Sequence, residues 1–142
     1  MLLPYTLSIS LIILIFWAMI QADKDKYKDI LENSVTYLEQ LGFENIKADT
    51  EGYETPKSFI KKGSEVTITP DIVAEKNGTK HYFDISLKSE KPNLLKSKWL
   101  FLNTLSAVKS RHFRLITTKG HFKFTNEMLE DINLTNKKLI KI

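Results

Sequence analysis

The chain has 142 residues, and residues 23–142, which hold every charged side chain, are enough for one domain and not for two. It has no cysteine, which excludes disulfide frameworks, zinc knuckles and thiol nucleophiles; 27% charged and 42% hydrophobic residues exclude wholesale disorder. The formal charge of +4 is unevenly spread, with 7 basic and 12 acidic residues from Asp23 to Glu75 but 14 basic and 5 acidic from Lys76 to Ile142.

Leu2 to Ala22 carries no charge and reads LLPYTLSISLIILIFWAMIQA. At ~1.5 Å per residue a helix of this length crosses a hydrocarbon core of ~30 Å. Tyr5 and Trp17 stand toward its two ends, where interfacial aromatics are expected. Lys24, Lys26 and Lys28 follow at once, and no lysine or arginine precedes it. The positive-inside bias therefore predicts residues 1–22 as a single-pass anchor in the inner (cytoplasmic) membrane, N-terminus outside, with residues 23–142 as a cytoplasmic domain. Two readings compete: a signal peptide cleaved after Ile20-Gln21-Ala22, which would lack the usual basic start, or translation from Met19, which would leave a cytoplasmic protein.

Lys24 to Leu41 reads as an amphipathic helix, with Tyr27, Ile30, Leu31, Val35, Leu38 and Leu41 on one face and Gly42 as its stop. Asn45 to Ala48 reads as a short strand, and Asp49 to Lys57, with Gly52 and Pro56, as a loop. Glu65 to Glu75 and Thr79 to Lys88 read as strands joined by Asn77-Gly78, the strongest hairpin signal in the chain. A helix is predicted from Pro92 to about Lys109, since proline suits a first helical turn. Phe113 to Thr117 reads as a strand, Thr125 as the N-cap of a helix through about Ile132, and Lys138 to Ile142 as a last strand. The order is α-β-β-β-α-β-α-β, for which an α/β architecture with a mixed sheet covered by helices is the natural packing.

Between Lys88 and Lys123 only Glu90 opposes nine basic side chains. Lys91, Lys96, Arg111, Arg114, Lys119 and His121 are the candidates there for phosphate contacts with nucleic acid. A solvated lysine-rich surface is the plainer explanation of the same charges.

Asp71 follows Pro70 near the middle of one hairpin strand, and Asp84 stands in the middle of the other, among Tyr82, Phe83, Ile85 and Leu87. A carboxylate set among core-forming residues is costly, and two that converge repel; a cation between them resolves both. Oxygen ligands without cysteine or paired histidines suit Mg²⁺ or Mn²⁺. The alternative is two unrelated aspartates, each facing the surface or paired with lysine.

Pro70-Asp71 followed by Phe83-Asp84-Ile85, in an α-β-β-β-α-β order, resembles the PD-(D/E)XK nuclease superfamily, whose fold is restriction-endonuclease-like. Leu38-Glu39-Gln40-Leu41-Gly42-Phe43 resembles the first helix of its Holliday-junction-resolvase-like members. Lys98-Trp99 and Lys119-Gly120-His121 resemble motifs of small bacterial proteins built on this plan. The resemblance covers roughly Lys24 to Phe124. It implies metal-dependent cleavage of DNA, with Asp71, Asp84 and the Ile85 carbonyl holding the ion and Glu32 of the first helix as a further ligand. A lysine would orient water and stabilise developing charge.

The family expects that lysine two residues after the second acid, where this chain has Ser86. Lys88 shares the strand face of Asp84 and Ser86 but stands roughly 13 Å along the strand. Lys98 falls within the apolar stripe of the Pro92 helix and can substitute, unless its stem packs there while its amine reaches water. With neither in place the domain would be catalytically degenerate, a membrane-anchored module that binds nucleic acid or protein. Trp99, Phe101, Phe113, Phe122 and Phe124 read as core, the three histidines as surface or strand residues without metal-ligand spacing, and no Walker loop or Rossmann glycine pattern is present.

Overall fold

The computed structural model describes residues 3–137 and 139–142, with side chains from Ile9 onward. The elements in chain order are α1 (Leu3–Gln40), β1 (Glu44–Ala48), β2 (Phe59–Ile60), β3 (Thr67–Ile68), β4 (Ile72–Lys76), β5 (Thr79–Ser86), α2 (Pro92–Val108), β6 (His112–Thr117), α3 (Phe122–Asp131) and β7 (Leu139–Lys141). The chain divides into two compact units, Met1–Ile30 and Leu31–Ile142.

In the first unit the large apolar side chains from Ile9 to Ile20 are all exposed, Trp17 at 68%. Among the described residues no helix is long and apolar enough to cross a membrane. The expected span 2–22 begins outside them, since the side chains of its residues 2–8 are not described. The helices expected over 2–22 and 24–41 correspond to the one assignment α1, which ends at Gln40, with Leu41 in the turn after it and Leu2 outside the described residues.

The second unit is built on a five-stranded mixed sheet of order β1-β4-β5-β6-β7. The first three strands pair antiparallel and the last three parallel. Two consecutive parallel crossovers in one direction place α2 and α3 on the same face. There Tyr82, Trp99, Leu102, Phe113, Leu115, Met128 and Leu129 form one buried cluster. Ile72, Ala74, Phe83, Ile85 and Ile116 alternate onto the other face and are buried too. Phe43 stacks edge-on against Phe83 on that side, and α1 brings a buried stripe of Leu31, Val35 and Leu38. Complete burial of each such side chain contributes about 1.5–3 kcal/mol.

Gly42 ends α1 with φ +89°. The amides of Gly42 and Phe43 turn back to the carbonyls of Glu39 and Leu38, a Schellman closure that a left-handed residue makes possible. Asn77 and Gly78 both have positive φ, as a two-residue hairpin turn requires, and Lys76 pairs with Thr79 across them.

Four expectations change. The strand expected over 65–75 is broken into β3 and β4 at Pro70, which has no N–H to give a ladder, and β3 instead pairs with β2 in a small separate hairpin. Asp71 therefore stands in a bend just ahead of β4 and not in mid-strand. Finally, α3 begins at Phe122 with His121 as N-cap, and Thr125 lies inside it, its hydroxyl donating to the His121 carbonyl at 2.9 Å. The last strand is shorter than expected, and Lys138 lies outside the described residues.

Candidate active site

The tight turn at Asn77-Gly78 dictates the register of the whole hairpin. Residues equidistant from it pair, out to Ile72 opposite Phe83. One further step sets Asp71 opposite Asp84, on the face that carries Tyr82 and Val73 and packs under α2. Freed from the ladder by Pro70, Asp71 turns its backbone to the site. Its N–H donates to Asp84 Oδ1 at 3.3 Å, and its own Oδ2 accepts the Ile85 N–H at 2.7 Å.

Asp84 is fully buried. Its Oδ2 accepts the indole N–H of Trp99 at 2.9 Å, and its Oδ1 lies 2.7 Å from the Lys98 ammonium. The same Lys98 Nζ is 3.6 Å from Asp71 Oδ1. Successive residues of α2 thus reach the same carboxylate, one with a charge and one with a neutral donor. Trp99 and Leu102, both fully buried in the cluster, fix the helix at this height.

Two carboxylates against one ammonium leave this site short of positive charge. Burial pushes the Asp84 carboxyl well above its usual range, and the neighbouring Asp71 carboxylate pushes it further, with Lys98 only partly opposing them. Burial alone would lower the Lys98 amine, but Asp84 and Asp71 outweigh it and hold the amine above its ordinary value. Hard oxygen donors converging on one cation fit a divalent ion of the Mg²⁺ or Mn²⁺ class, which would also hold Asp84 in its ionised form.

Ser86, where the resemblance led to the expectation of a lysine, is fully buried on the Asp84 face and committed elsewhere. Its Oγ lies 2.6 Å from Thr125 Oγ1 of α3, and its carbonyl accepts the Thr117 hydroxyl at 2.9 Å. Lys88 is exposed beyond the end of β5; its N–H donates to His121 Nδ1 at 2.8 Å, so that imidazole caps the strand end.

Glu32 is not brought to the pair. Its carboxylate accepts from Thr50 Oγ1 at 3.4 Å and lines a separate cleft with Tyr53. Among the described residues no three acidic or imidazole groups come together as a metal cluster. What Ile85 gives the site is its amide N–H, received by Asp71. Of the predicted phosphate contacts, Lys96 is held by Asp131 at 2.9 Å, Lys91 and Lys119 are exposed, and Arg111 and Arg114 line a second cavity.

Sequence reasoning assigned Trp99 to the core and missed its indole N–H as the orienting donor to Asp84. The signal was its place directly after a half-buried lysine, since a buried indole needs an acceptor. No family model matches the chain, and neither the curated proteins nor the solved structures contain a match to it.

Proposed function

We propose that residues 23–142 form a PD-(D/E)XK-like domain that cleaves DNA with Mg²⁺ or Mn²⁺, with Asp71 and Asp84 as metal ligands and Lys98 in the place of the family's lysine. The observation that carries this reading is the Lys98 ammonium lying against the Asp84 carboxylate of β5 and the Asp71 carboxylate just ahead of β4. A bound ion would activate water and neutralise charge on the phosphorus. Asp71 and Asp84 supply the oxygens, and Trp99 and the Ile85 amide hold those oxygens in place. Lys98, on a helix fixed by its buried neighbours, is placed to hold a phosphate oxygen or to orient a water proton.

Nicking of supercoiled plasmid by the purified full chain tests the proposal. Wild type should require Mg²⁺ or Mn²⁺, and Asp84→Asn should lose at least ~100-fold of the rate, as removal of a metal ligand costing several kcal/mol implies. The variant should melt no lower than wild type, because it removes a buried charge. Equal nicking by Asp84→Asn would refute the assignment.

The Ser86–Thr125–Thr117 hydroxyl network favours a second reading, in which the fold persists as a binding module without turnover. In that case no nicking occurs with any divalent ion, while DNA affinity falls steeply with salt and survives chelation.

The exposed apolar run Ile9–Ile20, followed by Lys24, Lys26 and Lys28, supports a tether in the inner membrane with the domain on the cytoplasmic side.

A further inference from the structure

A second cavity of about 500 Å³ opens where the parallel strands begin. His81 of β5 and His112 of β6 pair there in register, with rings stacked 4.6 Å apart. Arg111, Arg114, Asn136 and Lys137 also line it, beside Phe113 and residues of α2. No carboxylate lines the cavity, and none of its cations forms an ion pair among the described residues.

These cations are held by neutral groups only. Arg111 donates to the Tyr82 hydroxyl and lies over its ring. Lys137 lies over the Phe113 ring and donates to the Phe113 carbonyl at a long 3.4 Å. Arg114 Nε and His81 Nδ1 are buried with no partner. Burial and the like charges of His112, Arg114 and Lys76 hold the His81 imidazole low. A neighbouring anion would relieve that repulsion.

We infer that this cavity binds a phosphate group, with Arg114, Lys137 and the His81–His112 pair as its contacts. Tetrahedral anionic oxygens suit it: arginine forks and imidazole N–H groups meet them directionally, and no acid is present to repel them. The site does not depend on the nuclease reading. His81 and His112 stand at the start of their strands, and Asp84 stands three residues further along β5. The phosphate can belong to a nucleic-acid backbone or to a free nucleotide, since the chemistry recognised is the same.

The chain has 3 histidines, so a ¹³C-histidine-labelled full chain in detergent micelles gives a readable spectrum. Titrated with inorganic phosphate in the absence of divalent ions, the His81 and His112 signals should shift saturably while His121 serves as internal control. Arg114→Gln and Lys137→Gln should each weaken this by about 5-fold or more, as expected for loss of a charge-assisted contact. Two variants guard against one that fails to fold. Tighter binding of a short oligonucleotide than of a mononucleotide, with steep salt dependence, assigns the phosphate to a nucleic-acid backbone; the reverse order assigns it to a nucleotide. Absence of a saturable shift at both histidines, or undiminished binding in both folded variants, would overturn the site. Metal-free conditions keep this outcome separate from failure of the nuclease proposal.

Discussion

The Lys98 ammonium, 2.7 Å from a carboxylate with no exposed surface, cannot be removed at low cost. Lys98→Met keeps the stem and deletes the charge, leaving Asp84 and Asp71 facing each other in a dry site. The expected loss is about 3 kcal/mol in denaturant melts, and adding Asp84→Asn should restore most of it. Loss in the single variant of under ~0.5 kcal/mol would mean that the charges are not coupled. His81 makes a second prediction with a definite sign. Its folded imidazole sits below the ordinary 6.5, first through burial and then through His112, Arg114 and Lys76, so the unfolded chain binds that proton more tightly. Its stability cost is absent above the unfolded value and grows as pH falls toward the folded one. The melting temperature should drop between about pH 7.5 and about pH 5.5, and His81→Phe, fitting among Phe43 and Phe83, should flatten that slope. An unchanged slope would contradict it. The two acids and Lys98 could be named from residue type and helix phase, but the direction of each side chain depended on Trp99, whose acceptor the sequence does not name, and on the Ile85 amide, which has no sequence signature.

Elements explain why these residues meet. The Asn77-Gly78 turn sets the register, and the register sets Asp71 opposite Asp84. Gly78 stands at φ +77° with open space around it, so a methyl group there meets only backbone strain. Gly78→Ala should cost about 1 kcal/mol in denaturant melts without altering the spectrum of the folded state; a neutral or stabilising result would contradict the turn assignment. The hairpin, both crossover helices and the parallel strands were legible from periodicity and turn residues. The break at Pro70 was not, because Val66, Ile68, Ile72 and Val73 keep a strand-like composition on both sides of it. Val66 is in fact exposed and Ile68 belongs to a different sheet. Thr125 misled for a related reason. A threonine that caps a helix and one that lies buried in it, bonding Ser86 and the preceding turn, look the same until the partner strand is placed.

At the scale of the whole molecule, the proposed function divides between a tether in the apolar run Ile9–Ile20 and a domain centred on Asp71 and Asp84. The absence of native cysteine gives a clean background for a topology test of the proposed tether. Ser64→Cys, on an exposed turn, should react with a membrane-impermeant maleimide only after cells are permeabilised, and the chain should stay with membranes at alkaline pH. Labelling in intact cells, or release at alkaline pH, would contradict the assignment. The apolar run was legible as composition alone, whereas the paired acids needed three-dimensional register before they came together. Direct titration of Mn²⁺ into the full chain, followed by electron paramagnetic resonance, puts that site to its hardest trial. One ion per chain should bind, and Asp71→Asn and Asp84→Asn should each abolish it. No bound ion in the wild type at millimolar Mn²⁺, or equal binding by both variants, would contradict the account.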